Sequence, residues 1–132
     1  MFLDCIDERL PVEPRKAEDL DAARVRQIEE WIDANFDEPI GIEDLARRAG
    51  VGVRSVQTAF RRLRGCTPMQ MVLRRRLEAA REMLRRATPQ TTVTHVAAEC
   101  GFFNFGRFSC RYRDMFGEAP SQTLARATVR NG

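Results

Sequence analysis

Arg54, Gln57, Thr58 and Arg61 fall at i, i+3, i+4 and i+7, a spacing that gathers four side chains on one face of a helix. The chemistry of these side chains is that of purine-edge and phosphate recognition. A guanidinium donates two parallel hydrogen bonds to guanine O6 and N7, a carboxamide pairs with adenine N6 and N7, and a threonine methyl can meet a thymine methyl. About fifty residues later the spacing recurs as Gly106, Ser109, Cys110 and Arg113, flanked by Arg107 and Arg111. Gly106 near a helix start lets backbone approach a ligand closely, and Arg107 is placed to take a phosphate there. The alternative for either face is a solvated polar surface.

The elements that must position these faces are legible in the apolar pattern. Val53, Val56, Phe60 and Leu63 form the stripe opposite the first set, and Gly65 ends that helix. Just before it, Ile42, Leu45, Ala46 and Ala49 mark a short helix closed by Gly50, with Glu43 and Asp44 in its first turn, where negative charge suits the helix dipole. Two short helices joined by so tight a turn must cross steeply, the helix-turn-helix arrangement. Upstream, Val25, Ile28, Ile32 and Phe36 predict a helix capped by Asp21 and closed by Pro39. Downstream, Thr67 and Pro68 take the N-cap and first position of a long helix running to about Ala87. Leu73, Leu77, Ala80 and Leu84 form its apolar stripe, and Arg74, Arg75, Arg76, Arg81, Arg85 and Arg86 occupy the remaining surface.

The pattern then repeats. Ala46 and Gly50 match Ala97 and Gly101 at an offset of 51, while Val53, Val56, Phe60, Gly65 and Pro68 match Phe105, Phe108, Tyr112, Gly117 and Pro120 at an offset of 52. A duplicated helix-turn-helix with one extra residue in its second turn accounts for both offsets. The stretch GFFNFGRFSCRYRDMFG holds six of the ten aromatic residues. On this register Phe105, Phe108 and Tyr112 are core residues, braced by Phe102 and Phe116, rather than a base-stacking platform or a membrane-inserting face. The predicted fold class is all-α, with about seven helices in two helix-turn-helix subdomains, 21–66 and 89–132. A connecting helix over 67–88 joins them, and 1–20, with Pro11 and Pro14 among charges, reads as a linker or tail.

The net charge of +3 over 132 residues conceals an asymmetry. Met1–Asp44 carries five Arg/Lys against fourteen Asp/Glu, a net of −9, whereas Leu45–Gly132 carries seventeen Arg against five Asp/Glu, a net of +12. A basic body behind an acidic segment suits approach to a polyanion. Lys16 is the single lysine, a bias more simply traced to genomic base composition than to function. No apolar run is long enough to span a membrane, and MFLDCIDERLP lacks the apolar core of a secretory signal, so a cytoplasmic location is expected. Cys5, Cys66, Cys100 and Cys110 form no CxxC pair and His95 has no partner at metal-ligand spacing, so these residues read as structural, with no metal and no cofactor. No nucleophile, base and orienting group come together and no phosphate-binding glycine loop is present, so no enzyme is expected.

The span from about Asp21 to Arg126 resembles the DNA-binding domain of the AraC/XylS family of bacterial transcription regulators. The resemblance is carried by Val96-Ala97, Gly101-Phe102, Phe108 and Phe116-Gly117-Glu118-Ala119-Pro120-Ser121. It implies two recognition helices placed in successive major grooves, with base contacts from Arg54, Gln57 and Thr58 in the first and Gly106, Arg107, Ser109 and Cys110 in the second. Phosphate contacts are expected from Arg61, Arg111 and Arg113, and Arg74, Arg75, Arg85 and Arg86 of the connecting helix are expected either to contact phosphates or to be solvated. The chain departs from the family pattern at Gly106-Arg107-Phe108, at Tyr112-Arg113 where Phe-Lys is usual, and at Met71 and Thr123 where Tyr is usual. The Gly-Arg-Phe version resembles a subset tied to amine or aromatic catabolism.

The function implied is sequence-specific double-stranded DNA binding by a transcription activator, with RNA polymerase as a further partner. An effector and a dimer partner would act through a domain outside this chain, which then reads as a fragment of a longer regulator, the alternative being a naturally short, stand-alone regulator. The acidic first helix is expected to face away from DNA, or toward RNA polymerase or the domain outside this chain. The rival readings are a nonspecific architectural DNA- or RNA-binding protein and a protein-interaction module.

Overall fold

The computed structural model describes residues 20–131, which form seven α-helices and no strand. These are α1 (Ala22–Asn35), α2 (Ile42–Ala49), α3 (Val53–Arg64), α4 (Pro68–Arg85), α5 (Val93–Glu99), α6 (Phe105–Phe116) and α7 (Pro120–Asn131). They divide into two compact units, one of residues 20–35 and Ile40–Val72, the other of Phe36–Pro39 and residues 73–131.

In the first unit α1 packs on both α2 and α3. Asp21 caps α1 by accepting from Arg24 N at 2.9 Å. Val25, Ile28, Ile32, Leu45, Ala46, Val56, Ala59 and Phe60 are buried. Val53 and Leu63 are only half-buried because they lie at the two ends of α3, where the covering elements run out. Around this core three arginines act as clasps. Arg64 grips Glu29 through a two-pronged contact, Nε to Oε2 at 2.6 Å and Nη2 to Oε1 at 2.9 Å, and the carboxylate raises the Arg64 pKa. Arg24 donates to the carbonyl of Ala49, and Arg62 donates to that of Leu20 at 3.0 Å. Leu20, assigned to the tail from sequence, is buried and belongs to the folded unit.

The second unit is built on one cluster: Leu77, Ala80, Leu84, Val96, Ala97, Cys100, Phe108 and Tyr112. Burial pushes the Cys100 thiol up to about 11, so it serves as a small neutral filler. Phe102, Phe108, Tyr112 and Phe116 form a ladder of rings with centroids 4.7, 5.7 and 4.7 Å apart. The Tyr112 hydroxyl donates to Thr123 Oγ1 at 2.8 Å, and Thr123 in turn donates to Glu118, which pairs with Arg126. The Thr123 hydrogen bond, aided by Arg126, holds the Glu118 carboxyl below the usual carboxylate range.

Four expectations need correction. α1 ends at Asn35, so Phe36 is not on its buried face; Phe36–Pro39 joins the second unit instead. The reason is Arg76, expected on the outer surface of α4, whose Nε donates to Phe36 O at 2.6 Å and Nη2 to Glu38 O at 2.8 Å. Arg81 is likewise no simple surface charge, since its guanidinium lies 4.6 Å from the centre of the Phe116 ring. Phe105, expected in the core, is 48% exposed.

The duplication is visible in the backbone. Gly50 N bonds Arg47 O and Val51 N bonds Ala46 O in the first copy, as Gly101 N bonds Ala98 O and Phe102 N bonds Ala97 O in the second. Thr67 N donates to Gln70 Oε1 at 2.8 Å, and Ala119 N donates to Gln122 Oε1 at 2.7 Å. α7 therefore begins as α4 does. The turn between α5 and α6 carries the extra residue, and Gly101 within it adopts φ +92°.

Candidate nucleic-acid interface

α3 is the second helix of the first helix-turn-helix. With Val56, Ala59 and Phe60 buried beneath it, Arg54, Gln57, Thr58 and Arg61 all project into solvent, so the structure brings these four sequence-derived residues onto one open face. A left-handed Gly50, φ +71°, closes α2 and reverses the chain within three residues, which sets the crossing of α2 and α3.

α6 occupies the same place in the second unit. Phe108 and Tyr112 are fully buried, and Gly106, Arg107, Cys110, Arg111 and Arg113 are exposed. Ser109 is half-buried, set nearer the core than a freely projecting side chain. Beside the start of α6 lies an open concavity lined by Phe102, Phe103, Asn104, Arg107 and Arg111, with Arg76 and Leu73 behind. Asn104 caps the helix, its Oδ1 accepting from Arg107 N at 2.8 Å. Asn104→Ala should cost about 1 kcal/mol of second-unit stability, read by urea unfolding, because one first-turn donor loses its acceptor.

The arginines of α4, and Arg86 just after it, differ in how they are held. Arg74 and Arg85 are exposed, Arg75 is half-buried and paired with Glu78 at 3.4 Å, and Arg86 pairs with Glu82 at 3.0 Å one turn back. The Arg86 pair is exposed and so adds little to stability.

Sequence reasoning missed two exposed rings at the start of α6, Phe103 at 81% just before it and Phe105 at 48% as its first residue. It also missed Asn104 as a cap, although Asn directly before an apolar periodic run is a recognisable signal. Among the described residues no group of three or more His, Cys, Asp or Glu is placed to hold a metal, and no helix is long and apolar enough to cross a membrane.

Two short helix pairs, each with a basic or polar outward face on its second helix, define a double helix-turn-helix protein. Residues 45–126 match the family model described as a helix-turn-helix domain. A probable AraC family transcriptional regulator from Rhodopseudomonas palustris CGA009 shares 50% identity and superposes with a TM-score of 0.75 over 81% of this chain and 99% of that one. The chain belongs to the AraC family of helix-turn-helix transcription regulators. It is 38% identical over 100 residues to the XylDLEGF operon transcriptional activator 2 of Pseudomonas putida, covering 75% of this chain and 64% of that protein. Of several other curated relatives it spans only 30% to 32% of the length. The DNA-binding domain of AdpA, solved in complex with a target DNA, is 27% identical with a TM-score of 0.72, covering 81% of this chain and 95% of that one.

Proposed function

We propose that the chain is a sequence-specific double-stranded DNA binder that regulates transcription as an activator, acting in the cytoplasm by binding rather than catalysis. The observation that carries this reading is the repeated exposed face: Arg54, Gln57, Thr58 and Arg61 on α3, and Gly106, Arg107 and Cys110 on α6, each backed by a buried aromatic. The AdpA domain solved on DNA supports it by likeness. Arg54, Gln57 and Thr58 read bases from the first recognition helix, and Gly106, Arg107, Ser109 and Cys110 from the second, in successive major grooves about one turn apart. Arg61, Arg74, Arg75, Arg85, Arg86, Arg111 and Arg113 neutralise phosphates. The organisation that goes with this is a first reader over 21–66, a connector over 67–88 and a second reader over 89–132. Effector binding and dimerisation belong to sequence outside this chain, and RNA polymerase is the partner through which activation is exerted.

The test is competition at near-physiological salt. The reading expects binding to a selected site at least about a thousandfold tighter than to random duplex, with affinity falling steeply as salt rises. Equal affinity for both duplexes would leave only a nonspecific polyanion binder, and salt-independent behaviour without DNA affinity would point to a protein-interaction module. Arg54→Ala is expected to cost about 1–3 kcal/mol on the preferred site and to relax preference at one base position. Arg86→Ala should weaken all duplexes evenly. A uniform loss from Arg54→Ala would remove it from the base-reading set.

A further inference from the structure

The first turn of α6 presents a surface unlike that of α3. In α3 the exposed second residue is Arg54, able to donate hydrogen bonds to a base edge. In α6 the corresponding residue is Gly106, and nothing but Asn104 Oδ1, at 3.6 Å, lies near the space a Cβ there would take. That Asn104 oxygen is already committed to the Arg107 amide. The apolar group at this end of the helix is the Phe105 ring, 48% exposed, beside the exposed Arg107 and tilted by 46° against Phe108 with centroids 6.3 Å apart. Helix side chains lean toward the N-terminus, so the ring projects over the end that a recognition helix turns toward base edges. The missing side chain at Gly106 leaves room for a base edge to reach it.

A half-exposed ring cannot read a hydrogen-bond pattern, and the one apolar group that unmodified DNA displays in the major groove is the C5 methyl of thymine. We infer that Phe105 is a specificity-determining residue that reads a thymine methyl by apolar contact. This rests on the DNA-reading function proposed above and deepens it. The second recognition helix then demands thymine at one position through burial of a methyl group, beside the bases that its polar residues read.

The experiment is a pair of selections from randomised duplex libraries, one synthesised with thymidine and the other with deoxyuridine in its place, using the whole chain. Uracil keeps every hydrogen-bonding group of thymine and lacks only the methyl. For the unaltered protein, one thymine position should be enriched in the first library and lose about fourfold of its preference in the second, the factor that burial of one carbon corresponds to. Phe105→Ala should lose that preference in both libraries, Phe105→Leu should keep part of it, and Phe103→Ala should leave it in place. Thermal melts establish that each variant is folded, which the exposure of both rings favours. Enrichment of the same thymine in both libraries would overturn the inference while leaving specific DNA binding intact, as would loss of that position on Phe103→Ala alone. No motif in either library would instead overturn the DNA-reading function, and the inference with it.

Discussion

Gly101→Ala is expected to destabilise the second unit by about 3–5 kcal/mol. Two costs add. At φ +92° a side chain is disfavoured by about 1–2 kcal/mol. The new Cβ would also lie 3.1 Å from each of three atoms, Phe36 O, Asp37 O and Arg76 Nε, two of them backbone. Making room means pushing 36–39 away from α4 and loosening the charge-assisted bonds from Arg76 to Phe36 and Glu38, each worth about 1.5–3 kcal/mol. Tyr112, the single tyrosine of the chain, lies in this unit, so its absorbance during urea unfolding reports the loss. Gly106→Ala supplies the contrast: it sits in α6, where a Cβ would meet only Asn104 Oδ1 at an ordinary contact distance of 3.6 Å, and should stabilise the unit by about 0.5–1 kcal/mol. A Gly101→Ala protein within 1 kcal/mol of the unaltered chain would mean that 36–39 is not held as described.

Phe60→Ala should cost about 3–5 kcal/mol in the first unit, because the ring is fully buried beneath α3 and its removal leaves a cavity as well as lost transfer energy. The single tryptophan, Trp31, belongs to this unit and lies under the Arg48 guanidinium, 4.6 Å from its ring centre, so its fluorescence follows the transition. Since Phe60 supports the face bearing Arg54, Gln57 and Thr58, the same variant is expected to lose half of the DNA readout. An unfolding midpoint shifted only slightly would place the core of this unit elsewhere.

Much of this architecture was legible in the sequence because both copies keep the same apolar register, and a helix with period 3.6 exposes whatever that register leaves over. The outward residues of α3 followed directly from Val56 and Phe60. The same reasoning failed for Phe105, which shares a register position with Val53. Both stand at the first residue of a helix, where the covering elements end, and periodicity carries no information about where the core runs out. Long side chains were illegible for a different reason. Arg76 and Arg81 look like their neighbours Arg75 and Arg85 in sequence, and only the tertiary fold supplies Arg76 with the carbonyls of Phe36 and Glu38 and Arg81 with the Phe116 ring.

Two departures from the family pattern, read separately from sequence, prove to be one. Tyr112 stands where Phe is usual and Thr123 where Tyr is usual, and the two hydroxyls are bonded to each other at 2.8 Å in a buried position. Their register partners in the first copy, Phe60 and Met71, are both apolar and buried. The first copy packs this site with apolar side chains. The second fills it with a hydrogen-bonded pair, which the low cost of a satisfied buried hydroxyl allows.

The most direct test of the central claim is a selection from randomised duplex DNA with the whole chain at near-physiological salt, repeated with Arg54→Ala. The account predicts a motif of two separate blocks, about one turn of duplex apart from centre to centre, of which Arg54→Ala relaxes one and leaves the other unchanged. Binding without enrichment of any sequence, or a single block that Arg54→Ala leaves intact, would contradict it.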